Sequence, residues 1–210
     1  MKKSKVLLYA LFVAFGAFVA GMNLGGISGA IDILTAEFKL GTLIKGFVTS
    51  SLMAGCLFGA LSGGSLSDRF GRKAVILCSL VLLILSSLGS GVLSSSAVAL
   101  VIYRFIGGLG VGALSAAVPT YISEISTAKW RGTLVSLYQL FIVIGILASY
   151  VFNYFFVSLE NNWHFMLGIP LVFAILALIL LLMAPESPRW LAQMGRPDSA
   201  KSAISRLAIH

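Results

Sequence analysis

The sequence Gly64-Ser65-Leu66-Ser67-Asp68-Arg69-Phe70-Gly71-Arg72-Lys73 separates two long apolar segments and contains a dense group of charged residues. The apolar segments on either side of it carry almost no charge. A short basic loop between two membrane-length segments predicts that they are antiparallel neighbours, and its positive charge predicts which side of a membrane it faces. We therefore interpret this stretch as a compact charged turn between two membrane-spanning helices.

The composition places the chain in a membrane. Of its 210 residues, 59% are hydrophobic and only 10% are charged, whereas about 25% of the residues of a soluble domain are charged. The formal net charge of +8 does not indicate nucleic-acid binding, because the basic residues lie in short loops and form no stripe on a folded face. Cys56 and Cys78 lie inside apolar segments, which predicts buried thiols with no disulfide or metal role.

Six segments are long and apolar enough to cross a bilayer, which requires about 20 mainly apolar residues. The predicted spans are Val6–Ala30, Gly46–Gly63, Ala74–Leu93, Ala97–Pro119, Thr133–Val157 and His164–Ala184. The connections are short except for Ile31–Lys45 and Thr120–Gly132, and a polar tail follows Ala184. The sequence therefore predicts an all-α, polytopic membrane protein with one six-span domain over residues 1–184.

The lysines and arginines predict the orientation of these spans, because basic residues are enriched in cytoplasmic loops. One side of the predicted spans has only Lys39 and Lys45. The other side has Lys2, Lys3, Lys5, Arg69, Arg72, Lys73, Lys129, Arg131, Arg189, Arg196, Lys201 and Arg206. We therefore expect a multi-pass protein of the plasma membrane or cell inner membrane, with both termini in the cytoplasm.

Small residues recur every four positions in three of the spans. They are Gly21, Gly25 and Gly29, then Gly55, Gly59 and Gly63, and then Gly108, Gly112 and Ala116. Residues at this spacing form a smooth stripe on one helix face, which allows neighbouring backbones to approach closely. The stripes predict tight helix packing, either within this chain or against another.

Polar side chains inside the predicted spans are candidates for function. Arg104 lies near the start of the fourth span, where a charge costs roughly 2.5–3.5 kcal/mol on insertion scales. We expect it to face the bundle interior with Asn23 as its hydrogen-bond partner, or alternatively to snorkel to the interface. Gln139, in the fifth span, suits a hydroxyl-rich ligand, and the alternative is a hydrogen bond between helices.

The spans contain no nucleophile–base pair, carboxylate dyad or metal cluster. The glycine-rich segment Gly107–Gly112 lies inside a membrane-length stretch and follows no strand, so it is not interpreted as a phosphate-binding loop. We therefore expect no enzyme activity, and the sequence predicts no cofactor and no metal site. A polar path through a helical bundle points to transport.

Five motifs resemble the sugar porter family of the major facilitator superfamily, specifically its N-terminal half. The motifs are Gly64–Lys73 between spans two and three, Arg104–Gly112 in the fourth span, Pro119-x-Tyr121-x-x-Glu124 with Arg131-Gly132, Gln139-Leu140 with Val143 and Gly145-Ile146-Leu147, and Pro185–Leu191 after span six. They occur in the family's order and cover essentially the whole chain. The resemblance implies a six-helix bundle of a 3+3 inverted repeat and a monosaccharide substrate.

The resemblance also implies roles for individual residues. The implied sugar site comprises Gln139, Ile142, Val143, Ile146 and Asn23. Arg104 and Asn23 are the implied coupling or gating pair. The implied cytoplasmic charge network, which would hold the outward-open state, comprises Asp68, Arg69, Gly71, Arg72, Lys73, Glu124, Arg131, Glu186 and Arg189.

The chain departs from the family pattern at three places. Asn23 stands where proton-coupled members carry Asp, and because an amide cannot titrate, we expect facilitative transport or coupling elsewhere. His164 follows Trp163 where many members have Arg. The chain ends at His210, whereas family members have twelve spans, so residues 185–210 resemble the start of a cytoplasmic helical linker.

This length leaves four interpretations. The chain is an inactive fragment of a transporter, one half of a split transporter that pairs with a C-terminal six-helix half, a protomer that pairs with a second copy, or a non-transporting membrane scaffold or regulatory protein. The expected partners are a monosaccharide, the lipid bilayer and a second half, with no nucleic acid. The sequence does not identify the sugar.

Overall fold

A computed structural model of the chain describes residues 3–159 and 162–207. The helices in these residues are α1 (Lys3–Glu37), α2 (Thr42–Phe70), α3 (Arg72–Leu88), α4 (Ala97–Ile125), α5 (Arg131–Phe156), α6 (Asn162–Gly168), α7 (Pro170–Met183), α8 (Pro188–Gln193) and α9 (Pro197–Leu207). Helix α3 continues as a π-helical turn over Gly89–Leu93. The predicted cytoplasmic termini, residues 1–2 and 208–210, lie outside the described residues.

Six helical segments are long and apolar enough to cross a membrane, which confirms the predicted span count. The sixth comprises α6 and α7 over Asn162–Met183. Several predicted bounds are wrong, because α1 extends to Glu37 and α4 to Ile125. The predicted loops Ile31–Lys45 and Thr120–Gly132 are therefore largely helical. Hydropathy marks where a helix is apolar, but backbone hydrogen bonding carries the helix beyond that boundary.

The charged stretch between α2 and α3 is more helical than predicted. Helix α2 continues to Phe70 and α3 begins at Arg72, so only Gly71 breaks the helical backbone between them. Gly71 has a φ of +104°, a conformation that side chains with a Cβ rarely adopt. A Cβ there would also lie 2.5 Å from a carboxylate oxygen of Glu186. The predicted turn is thus two helix ends joined at one glycine.

The small-residue stripes pack within this chain. A Cβ added at Gly55 or Gly59 of α2 would overlap a backbone carbonyl oxygen of α4, at Phe105 or Leu109. A Cβ at Gly21 of α1 would similarly overlap the carbonyl of Ile142 in α5. The backbones of α2 and α4, and of α1 and α5, therefore approach to a distance that only glycine permits at these positions.

The main hydrophobic core lies among α1, α3, α4, α5 and α7, and its fully buried members include Ile76, Leu80, Leu114 and Tyr121. Helices α2 and α5 each leave a broad apolar face outside this core. These faces include Leu43, Phe47, Met53, Leu57, Phe58 and Leu61 of α2, and Leu140, Val143, Leu147, Tyr150, Tyr154 and Phe155 of α5. The prediction that both cysteines are buried is wrong, since Cys78 is exposed and Cys56 half-buried. Periodicity alone did not say which face of each helix turns outward.

Helices α8 and α9 form a hairpin after the sixth span. Trp190 and Leu191 of α8 form a small apolar cluster with Ala200 and Ala203 of α9. Leu207, at the end of α9, joins the main core. The hairpin is therefore docked on the six-span bundle through its apolar side chains.

The close approach of α2 and α4 can be tested with paired alanine substitutions in α2. Gly59→Ala should lower the free energy of unfolding by about 1–3 kcal/mol, because its Cβ meets the α4 backbone, which cannot move aside as a side chain can. Gly64→Ala is the matched control, because nothing lies within 4 Å of the added Cβ. It should leave stability unchanged or raise it by up to about 1 kcal/mol. Thermal unfolding in detergent measures both, and equal melting temperatures would contradict the packing.

Candidate functional site

A buried ion pair joins α3 to α4 at the end of the bundle where the charged stretch lies. Arg72 donates from Nη2 to Glu124 Oε1 at 3.0 Å and from Nε to Glu124 Oε2 at 3.1 Å. Both side chains are only 6% exposed. Nη1 of the same guanidinium donates to the Ser67 carbonyl oxygen at 2.8 Å. A two-nitrogen contact of this kind fixes the relative orientation of the two helices as well as their charge balance.

The outer side of the Arg72 guanidinium meets a second carboxylate. Nη2 lies 2.8 Å from Asp68 Oδ1, whose side chain is 75% exposed. An exposed pair contributes little to stability, typically below about 1 kcal/mol. Glu124 is therefore the structural partner of Arg72, and Asp68 is an accessory one.

Glu186 and Lys73 join the start of α3 to the end of the sixth span. The Glu186 carboxylate accepts hydrogen bonds from the backbone N–H of Lys73 at 3.1 Å and of Ser187 at 2.8 Å. The Lys73 ammonium donates to the carbonyl oxygens of Leu182, at 3.0 Å, and Ala184. A cation at the last carbonyls of a helix satisfies acceptors that have no partner within that helix.

Three further residues of this cluster were given no role by the sequence analysis. The Ser187 hydroxyl donates to Glu124 and accepts from the Trp190 backbone N–H, which caps α8. The Trp190 indole N–H donates to the Asp68 carbonyl oxygen at 2.8 Å, and the Tyr121 hydroxyl donates to the Pro185 carbonyl oxygen at 2.6 Å. All three lie inside quoted motifs, but their contacts depend on the docking of α8, which no local pattern reveals.

The other predicted members of the charge network are not joined to it. Arg69, Arg131 and Arg189 are exposed, and the structure shows no ion pair for any of them within residues 3–159 and 162–207. The Arg69 guanidinium lies 5.3 Å from the ring centre of Phe70. The predicted network therefore divides into a bonded group inside the bundle and a set of surface cations that form no ion pair with the described residues.

The predicted pairing of Arg104 with Asn23 is wrong in this structure. Arg104 is only 4% exposed, and its Nε donates to the Val48 carbonyl oxygen at 3.1 Å. The Asn23 amide instead donates to the Val19 carbonyl oxygen at 3.0 Å, one turn earlier in its own helix. Because the Val19 carbonyl lies in the same helix, this hydrogen bond forms without any rearrangement between helices. Because Arg104 is buried, the snorkelling alternative does not describe it either.

The four α5 residues of the predicted sugar site lie on one side of their helix. Gln139 and Val143 are exposed, and Val143 is 53% exposed. Ile142 and Ile146 are half-buried. Gln139 makes no side-chain hydrogen bond to the part of the chain that the structure describes, so the alternative of a bond between helices is not realised here. An amide with two donors and one acceptor is thus presented on a largely apolar surface.

Comparison with known proteins places this bundle among sugar carriers. Residues 9–209 match the family described as sugar (and other) transporter. A D-xylose transporter of Levilactobacillus brevis is 37% identical over 100% of this chain and 46% of that protein. The glucose transporter GlcP of Staphylococcus epidermidis is 37% identical over 97% of this chain and 45% of its own length. The chain thus spans about half the length of the curated relatives it matches.

The solved structures give the same picture. A structure of the proton:xylose symporter XylE bound to 6-bromo-6-deoxy-D-glucose has a TM-score of 0.92 at 31% identity. That alignment covers 99% of this chain and 50% of the XylE chain, and XylE is a protein of E. coli. The six-helix bundle described above therefore has the architecture of half of XylE.

The two carboxylates of Arg72 allow a matched test of the buried pair. Glu124→Gln keeps the side-chain shape but leaves the buried Arg72 charge with only the exposed Asp68 as its ionic partner, which should cost up to about 3–5 kcal/mol of stability. Asp68→Asn removes the exposed partner and should cost less than about 1 kcal/mol. Thermal and denaturant unfolding in detergent compare the two variants. A similar loss in both would mean that burial does not distinguish the two contacts.

Proposed function

This chain belongs to the sugar (and other) transporter family, and from this premise we propose that it forms the N-terminal half of a monosaccharide carrier that works by alternating access. The predicted resemblance to sugar porters is confirmed, as are the all-α fold with six spans and the expectation that the chain is not an enzyme. Its relatives are named as carriers of xylose and glucose. Which monosaccharide this chain carries is left to experiment.

The observation that carries the proposal is the unbonded amide of Gln139 on the exposed face of α5. A polar group facing lipid without a hydrogen-bond partner is costly, because lipid offers neither donors nor acceptors. The amide therefore belongs against water or a ligand rather than lipid. A sugar hydroxyl can both donate to and accept from it, while Ile142, Val143 and Ile146 of the same face contact the apolar edge of the ring.

A sugar site on the outward face of α5 would need further helices to enclose it. The apolar faces of α2 and α5 lie outside the core, and the curated relatives are about twice the length of this chain. We propose that six further helices cover these faces, supplied by a C-terminal half or by a second copy of this chain. A single copy without these helices would not transport, so exchange by the 210-residue chain would require two copies, and a non-transporting scaffold is the alternative function.

The division of the charge network supports a role in the rocking motion. Carriers of this type move as two rigid halves around a central site. The bonded group around Arg72 and Glu124 would keep the helix ends of this half together during that motion. The surface cations Arg69, Arg131 and Arg189 would pair with carboxylates of the second half, and such exposed pairs are weak enough to form and break in each cycle.

Orientation and domain limits follow from the same assignment. We propose that the end of the bundle with the charge network is cytoplasmic, because the basic residues concentrate there. Residues 1–184 would then form the membrane domain of the plasma or inner membrane. Residues 185–210, which begin with the docked α8–α9 hairpin, would start the cytoplasmic linker to the second half.

The role of Gln139 can be tested by counterflow in liposomes that contain the 210-residue chain and a panel of labelled hexoses and pentoses. Gln139→Ala should abolish specific exchange, because it removes the hydrogen bonds to the sugar. Gln193→Ala is the matched control, since it removes an exposed amide outside the spans and should leave exchange unchanged. Exchange that survives Gln139→Ala would contradict the site, whereas no exchange by folded, monodisperse wild-type chain would favour the need for a second half.

Energy coupling gives a separate prediction. Because the Asn23 amide cannot carry a proton, an imposed proton gradient should not drive sugar accumulation in liposomes in which this chain has first been shown to catalyse counterflow. The arabinose-proton symporter of E. coli, a relative at 37% identity, serves as the positive control in the same liposomes. Accumulation that collapses when a protonophore is added would disprove facilitative transport.

A further inference from the structure

A cavity of about 690 Å³ opens between α1, α2 and α4, at the end of the bundle away from the charge network. Its lining is mostly apolar or hydroxylic apart from two cations. The lining residues are Leu24, Ile27, Thr42, Lys45, Gly46, Thr49, Ser50, Leu52, Met53 and Arg104. No carboxylate is among them. A cavity with positive charge, hydroxyl groups and no acid favours an anion.

No described acidic residue balances the charge on Arg104. Arg104 is only 4% exposed, and its one described hydrogen bond runs from Nε to the Val48 carbonyl oxygen. No acidic group in the described part of the chain lies within 4.0 Å of the guanidinium. A buried guanidinium without an opposite charge is strongly disfavoured. Its two terminal nitrogens have no described hydrogen-bond partner, and the residue lines the cavity.

The second cation of the cavity is already paired. Lys45 Nζ lies 2.8 Å from Asp32 Oδ1, and the Asp32 side chain is 85% exposed. The hydroxyls of Thr42 and Ser50 also line the cavity, and neither bonds to another described residue. Arg104 thus supplies the unbalanced charge, and these hydroxyls are additional hydrogen-bond donors.

Asn23 lies close enough to matter for this charge balance. A Cβ at Gly107 would lie 3.9 Å from Asn23 Oδ1, and Gly107 follows Arg104 by three positions, about one helical turn. The amide is thus beside α4 near Arg104, but it is neutral and its N–H is bonded to Val19. A carboxylate at this position would bring negative charge to the same region.

We propose that the cavity binds a small monovalent anion on Arg104, and that this anion supplies the negative charge that Asn23 lacks. The anion would accept hydrogen bonds from the terminal guanidinium nitrogens and from at most one cavity hydroxyl, since Thr42 and Ser50 are separated by about 12 Å along α2. Ser50 is the candidate, because it lies two residues from the Val48 carbonyl that Arg104 bonds. The apolar wall of Leu24, Ile27 and Met53 strengthens the attraction, because the local dielectric constant is lower than that of water. Chloride is the ion used in the test. A sugar acid is the alternative ligand, because its carboxylate would supply the same negative charge to Arg104.

The test measures thermal stability of the chain in detergent at constant ionic strength, in chloride, in glucuronate or in methanesulfonate, a reference anion that carries no carboxylate. A ligand that binds only the folded state raises the melting temperature, and chloride should raise it by about 2 °C or more relative to methanesulfonate. Glucuronate in place of chloride as the stabilising ion would assign the site to a sugar acid. Equal melting temperatures in all three salts would overturn the proposal.

Two variants locate the anion. Asn23→Asp should be more stable than wild type in methanesulfonate and should lose the chloride shift, because a fixed carboxylate replaces the anion. Lys201→Gln removes a cation that is 80% exposed on α9 and should keep the full shift. A chloride shift that persists in Asn23→Asp would place the anion elsewhere and refute the proposal. The melting temperature is measured without transport, so the test of the anion site does not depend on the proposed sugar-carrier function.

Discussion

The close approach of two helix pairs is the constraint on which this structure depends. Helix α2 meets α4, and α1 meets α5, at glycines where a Cβ would overlap the opposite backbone. In a bilayer the hydrophobic effect does not drive helices together, so contact between closely fitted backbones must do so. In each close pair, one helix (α4 or α1) is largely buried, and the other (α2 or α5) turns a broad apolar face outward. The outward faces of α2 and α5, and with them the position of Gln139, follow from this pairing.

The charge network uses the same geometry at one end of the bundle. Because α2 and α3 are joined at a single glycine, Arg72 and Lys73 lie beside the C-terminal ends of α4 and of the sixth span. Arg72 can therefore bond Glu124, while Lys73 and Glu186 join α3 to the end of α7. Exposure then separates this internal group from Arg69, Arg131 and Arg189. The first joins helix ends within the bundle, whereas the second lies on its surface.

Arg104 is a buried charge that no acidic group in the described part of the chain balances. Asn23 bonds to the Val19 carbonyl oxygen of its own helix, and as a neutral amide it contributes no charge beside α4. The Arg104 side chain lines the cavity between α1, α2 and α4.

The sequence by itself determined the fold class, the six spans, the spacing of the small residues and the family, because hydropathy, periodicity and motif order are properties of the chain read locally. It also predicted functional roles for Arg104, Gln139 and the charged residues around Gly71. Only the tertiary structure decided which partners they meet. Asn23 bonds to Val19 and not to Arg104. Ser187 and Trp190 bond to members of the charge network, and Gln139 lies on the exposed face of α5. These outcomes depend on helix rotation and on the docking of α8, and both are set by contacts between residues far apart in sequence.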